Sequence, residues 1–143
     1  MSQTTLSLAE TDSDIADCFP VMAQLRPQLK QEEFVGRIRR KEAESYRLAF
    51  LRDDNGQVRS VAGFRFMDRL QAGNVLYVDD LVTDSEARSR GYGDRLFDWL
   101  VAHARRNKCQ SLTLDSGTHR VDAHRFYLRK RMRIACFHFD LPL

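Results

Sequence analysis

The sequence predicts an α/β (α+β) domain: a mixed, mostly antiparallel sheet that carries one parallel β-α-β unit and has helices on both faces. Three observations predict it. Two β-rich runs, YRLAFLR and QVRSVAGFRFMD, flank an Asn-Gly pair at Asn55 and Gly56, the sign of an antiparallel hairpin whose central positions take positive φ. Another such run, NVLYVDDLVT, precedes an amphipathic helical stretch, GDRLFDWLVAHARR, and then QSLTLDS, which is the strand-helix-strand order of a right-handed parallel crossover. Helical and β-like stretches follow one another without repeat or linker. At 143 residues the chain can build one substantial core and not two, so residues 1–143 read as a single domain.

Taken in order, TLSLAE predicts a first strand, and TDSD supplies N-cap candidates for a helix over IADCFPVMAQL, with Pro20 expected to kink or split it. QEEFVGRIRRKEAE spaces Phe34 and Ile38 one turn apart and puts acids before bases, as a helix dipole favours. The hairpin and the NVLYVDDLVT strand form a meander joined by the turn-prone LQAGN. In the next helix Leu96, Phe97, Leu100, Val101 and Ala104 share a face that must pack on the sheet. A helix near VDAHRFYLRK and a strand near MRIACFHFDL close the chain.

Composition narrows the function classes. With 43% hydrophobic and 30% charged residues and no low-complexity tract, the chain is expected to fold. A net charge of +3 is too small to argue for a nucleic-acid partner, and the basic run RFYLRKRMR reads as the solvated end of a helix. The start has no basic segment leading into an apolar one, and no eighteen consecutive residues are apolar, so neither secretion nor a membrane is expected. Cys18, Cys109 and Cys136 show no CxxC spacing and read as small, partly buried apolar residues in a reducing cytoplasm. The histidines have no metal-ligand spacing, so no metal is expected.

The most informative segment is RSRGYG, from Arg88 to Gly93, between a strand and a helix. Such a turn aims backbone N–H groups and the positive end of a helix dipole at one point, a ready phosphate site. The GxxxxGK run of a P-loop is missing. A dinucleotide fingerprint would use Gly91 and Gly93, with Asp115 placed for a ribose, but Leu96 stands where its third glycine belongs and TDSEARSR is too long for its tight turn. A loop that wraps a diphosphate, with Arg88 and Arg90 adding charge-assisted contacts, remains.

Arg88, Gly91 and Gly93 meet an Arg-x-x-Gly-x-Gly pattern, and DAHRFYLRKRM supplies Ala-x-x-Phe-Tyr about thirty residues later. In that order the two motifs resemble the GNAT superfamily of acyl-CoA-dependent N-acetyltransferases, and the order of elements agrees over nearly the whole chain. The resemblance implies a GNAT-like fold with acetyl-CoA as co-substrate and direct attack by an amine of a small molecule or protein. It implies that Leu81, Val82 and Thr83 hold the pantetheine arm, and that Arg88, Ser89, Arg90, Gly91, Tyr92 and Gly93 hold the diphosphate. Catalysis would fall to Tyr127, as acid to the leaving thiolate, and to an acid at Asp79 or Asp80; strand neighbours point to opposite faces, so only one can reach the cleft, and Asp80 is preferred. His119 and His124 are alternatives for proton handling. One departure stands out: Arg131 and Met132 replace the glycine and phenylalanine that usually follow the Phe-Tyr helix.

For the acceptor, the LRP run at residues 25 to 27, Tyr46 and Arg65 are candidates to line a pocket for an anionic or aromatic group. Only one strand is legible after the last helix, which leaves room for a homodimer partner to complete the sheet. The alternative to an enzyme is a non-catalytic acyl-CoA-binding regulatory module.

Overall fold

A computed structural model describes residues 3–143. The chain forms two compact units, one running to Thr113 and the other from Leu114 to Leu143. The first unit is built on β1 (Thr5–Leu8), β2 (Arg47–Arg52), β3 (Val58–Arg69) and β4 (Gly73–Thr83), with β5 (Ser111–Leu114) completing a five-stranded mixed sheet in the order β1-β2-β3-β4-β5. The ladders from β1 to β4 are antiparallel.

Helices α1 (Asp12–Leu25) and α2 (Gln31–Lys41) cover one face. Thr11 caps α1 through a capping box with Asp14, as the TDSD signal predicts. Of the two outcomes expected at Pro20, a kink or a split, the split does not occur: α1 runs on through it, with Ile15, Cys18, Val21 and Met22 burying one continuous face while Pro20 itself is exposed. Leu48, Phe50 and Val61 meet them from β2 and β3. Helix α3 (Tyr92–Arg106) buries Leu96, Phe97, Leu100 and Ala104 against the sheet, and its His103 ring lies edge-on to Phe64 at 5.5 Å. Phe64 is buried on β3 at a position of opposite parity to Val61, so alternation along the strand sends it to the other face.

The β2-β3 turn differs from the expected two-residue form. Only Gly56 has positive φ (77°); the turn closes from the Asp53 carbonyl to the Gly56 N–H, and the Asp53 carboxylate accepts from the N–H groups of Asn55 and Gln57. That carboxylate holds a longer loop open and leaves the left-handed position to Gly56 alone.

In the second unit, α4 (Val121–Arg129) forms where VDAHRFYLRK predicts it. The strand expected near MRIACFHFDL does not form: residues 132–143 join no strand, and Ile134, Phe137, Phe139 and Leu141 are 82%, 83%, 90% and 81% exposed. A strand needs a partner edge for its backbone hydrogen bonds, and alternating apolar residues alone do not provide one. No helix among the described residues is long and apolar enough to cross a membrane.

Candidate active site

The site begins at a break in the sheet. Between β3 and β4 the register shifts after Gly63: Gly63 faces Asp80 while Phe64 faces Val78, which leaves Asp79 as an extra, bulged residue. The bulge corrects the expectation that only one of the two acids reaches the cleft. Strict alternation fails there, and both Asp79 and Asp80 line a cavity of about 230 Å³ between β4 and the helices α1 and α2.

Each acid is held from a different side. Asp80 accepts from Tyr46 Oη at 2.8 Å and from Arg26 Nε at 3.0 Å, and Arg26 also donates to the Asp79 carbonyl at 3.0 Å. Asp79 binds Arg65 through both carboxylate oxygens, at 2.8 and 2.9 Å. Burial and the facing Asp80 carboxylate push the Tyr46 hydroxyl well above an ordinary phenol, so it is a donor at all working pH values. Gly63 makes this approach possible: a Cβ there would overlap Tyr46 Oη and Cζ and lie 2.8 Å from Asp80 Oδ2. Of the residues suggested for an acceptor pocket, Arg26 and Tyr46 line the cavity, while Arg65 stands behind Asp79. Arg37 and Lys41 of α2 line it as well and were not singled out in the sequence, although their i, i+4 spacing beside Phe34 and Ile38 marks one helix face.

Past the bulge, Leu81, Val82 and Thr83 pair with Ala62, Val61 and Ser60 on the β3 side. Strand β5 has four residues and starts near Asn74, whose carbonyl accepts from the Gln110 N–H at 2.7 Å. At about 3.3 Å per residue a parallel strand of that length ends well short of Thr83. Among the described residues, the far edge of residues 81–83 therefore has no strand beside it, and it can offer its backbone groups to an extended ligand.

Strand β4 leads through a short 3₁₀ turn, Ser85–Ala87, to the glycine segment. Arg88, Ser89 and Arg90 are exposed; Ser89 and Gly91 have φ of 66° and 82°, and Gly91 is the N-cap of α3. No side chain caps that end. The first intrahelical bond runs from Arg95 N–H to the Gly91 carbonyl, so the Tyr92 and Gly93 N–H groups come before the ladder. Gly93 lies inside the first helical turn and has no positive φ, so the left-handed positions fall on Ser89 and Gly91. Uncapped N–H groups, a helix dipole and two exposed guanidinium groups are the donor set that a diphosphate requires.

The sequence model of the Acetyltransferase (GNAT) family matches residues 8–132. The chain belongs to the GNAT family of acetyltransferases. It is 36% identical over 116 residues to the uncharacterized N-acetyltransferase YhdJ of Bacillus subtilis (strain 168), covering 80% of this chain and 81% of that protein. It is 33% identical over 99 residues to the aminoalkylphosphonate N-acetyltransferase of Salmonella typhimurium (strain LT2), covering 68% of this chain and 62% of that protein. Among solved structures, the aminoglycoside N-acetyltransferase AAC(6')-Iy in complex with CoA superposes with a TM-score of 0.84 at 10% identity, covering all of this chain and 96% of that one. This GNAT chain is an acetyl-CoA-dependent acyltransferase.

In the second unit, Tyr127 is half-buried on α4; burial raises its hydroxyl pKa, partly offset by a bond with Arg120. His124 Nε2 lies 2.8 Å from the Gly117 carbonyl, a bond within its own unit. Arg131 adopts the left-handed conformation that the usual glycine would take (φ 68°). Its N–H reaches the Leu128 carbonyl and that of Met132 reaches Tyr127, both at 3.0 Å, so α4 ends in a Schellman motif despite the arginine.

Proposed function

We propose that this GNAT enzyme transfers an acetyl group from acetyl-CoA to a primary amine by direct attack, within one domain spanning residues 1–143. The observation that carries the reading is the bulge at Asp79, which sets an ion-paired carboxylate, Asp80, in a cavity just before the open strand edge at residues 81–83. When bound, acetyl-CoA supplies the activated acetyl thioester. In this reading the backbone of Leu81, Val82 and Thr83 holds the pantetheine arm, and Arg88, Ser89, Arg90, Gly91, Tyr92 and Gly93 hold the diphosphate.

An alkyl amine with a pKa of about 10.4 is almost wholly protonated at neutral pH, so a proton must leave before attack. Asp80, held in place by Arg26 and Tyr46, accepts it directly or through water. Tyr127, whose hydroxyl burial keeps protonated, holds a proton for the departing thiolate.

Thiol release measured against a panel of amines, with calorimetry for CoA, tests the assignment. Asp80→Asn and Tyr127→Phe are expected to cut kcat by 10²-fold or more, within the usual range for one acid or base, while CoA affinity changes little. Absence of CoA binding at micromolar concentration overturns the reading; CoA binding without turnover of any amine favours a regulatory module.

We assign the exposed tail to a second copy of the chain. Over residues 133–143, Phe137, Phe139, Leu141 and Leu143 fall on alternate positions and are all exposed, and β5 is an edge strand of the sheet. The tail of each copy would extend the partner's sheet and bury apolar surface that a monomer seldom leaves in water. Light scattering is expected to give twice the chain mass, and Phe137→Ser with Phe139→Ser a monomer; a wild-type monomer overturns the assignment. With Cys18, Cys109 and Cys136 all free thiols, we place the enzyme in a reducing cytoplasm.

A further inference from the structure

The charges lining the cavity do not cancel. Asp80 is neutralised by Arg26, and Asp79 by Arg65 from behind. Arg37 and Lys41, which reach the same cavity from α2, have no acidic partner among the described residues; Lys41 Nζ instead lies 4.8 Å from the centre of the Tyr46 ring. Elsewhere on the same helix a base is treated differently, since Arg39 binds both Asp12 and Glu42. Two like charges one turn apart also work against α2. The helix thus keeps two unneutralised cations where they face the acceptor space, and Met22, Leu29, Phe34 and Ile38 form apolar wall in the same cavity. At about 230 Å³ the space falls below the roughly 300–1,000 Å³ of pockets for drug-sized ligands.

We infer that the acceptor is a small amino-oxyanion: a primary amine joined through a short carbon chain to a carboxylate, phosphonate or phosphate, with the oxyanion held by Arg37 and Lys41 and the amine directed to Asp80. The inference rests on the proposed N-acetyltransferase activity and sharpens its acceptor. Arg37 supplies a planar fork suited to two oxygens, and Lys41 supplies a point charge beside the ring whose hydroxyl binds Asp80. A polyamine would bring a second cation against these two, and a neutral amine would leave them unused.

Steady-state kinetics on four amines of matched length reads the inference: 3-aminopropanoate, 2-aminoethylphosphonate, propylamine and 1,3-diaminopropane. The two anionic amines are expected to show kcat/KM at least 10-fold above the other two, the better of the pair identifying the oxyanion. Arg37→Gln and Lys41→Gln are expected to lower kcat/KM for the anionic amines at least 10-fold more than for propylamine, chiefly through KM. Equal use of propylamine or diaminopropane, or a loss in the variants that is the same for all four, overturns the inference and leaves the acetyltransferase standing. Should no amine be acetylated, the activity falls, and calorimetry with CoA present still decides the ligand class. Anionic amines that bind the wild type at least 10-fold more tightly than Lys41→Gln sustain the cation pair; equal binding, or none, overturns it.

Discussion

Gly63 shows how one missing Cβ shapes the site. Tyr46 is 1% exposed, and its hydroxyl occupies the space a side chain at position 63 would need. Gly63→Ala should therefore push Tyr46 off Asp80 and cost about 1–3 kcal/mol, as overpacking a buried contact does. Urea unfolding would show the lower midpoint, and kinetics the loss of activity. Arg131 presents the opposite case. It holds a left-handed conformation that costs an L-residue roughly 1–2 kcal/mol, inside a Schellman motif that glycine fits without strain. Arg131→Gly is expected to raise stability by about 1 kcal/mol; a lower melting temperature would contradict it. The departure from the family pattern at 131 was visible in the sequence and is absorbed by the backbone, whereas the demand on Gly63 was not visible, because it comes from Tyr46 across a strand pairing.

At the scale of elements, the strand end that feeds the glycine segment is tied down by charge. Arg59 of β3 binds Asp53 in the β2-β3 turn and Asp84 just past β4, both at 2.8 Å, with side chains only 14%, 8% and 8% exposed. Asp84 also accepts from Gln24 Nε2 of α1, whose side-chain Oε1 in turn accepts from the Ser85 N–H. The Arg59 bond holds the Asp53 carboxyl below the usual carboxylate range, offsetting the cost of burial. For Asp84 burial pushes the pKa up, but the bonds from Gln24, the Glu86 N–H and Arg59 together bring it below. Both carboxyls bind protons less readily folded than unfolded. Their stabilisation is therefore complete above the unfolded value of about 3.9 and is lost as pH falls through the lower folded values. Unfolding measured from pH 6 down to 2 should show that loss. Arg59→Ala should cost about 3 kcal/mol at pH 7, since it leaves two buried carboxylates without their shared cation, and should flatten the acid slope. The β-runs, their order and the capped α1 were legible because periodicity and caps are local. The bulge at Asp79 was not, since it exists only as a mismatch between two paired strands.

For the whole molecule, a ligand that binds only the folded chain must stabilise it. CoA at 100 times its dissociation constant should add about 2.7 kcal/mol and raise the melting temperature, and Arg88→Ala with Arg90→Ala should reduce the shift at a fixed CoA concentration. No shift at millimolar CoA would count against the diphosphate assignment at residues 88–93. MRIACFHFDL has the alternation of a strand, yet its apolar side chains stand in solvent, because a strand is made by the edge it pairs with.

The family, the order of elements from β1 to α4 and the glycine turn that opens α3 are legible along the chain, because each is written in local spacing: periodic apolar residues, caps and two ordered motifs. Tertiary packing is what turns both Asp79 and Asp80 to the cavity, sets Tyr46 and Arg26 on Asp80, and brings Arg37 and Lys41 to the same space with no acidic partner among the described residues. Those facts depend on register and on contacts between residues more than thirty positions apart, and no window along the chain contains them.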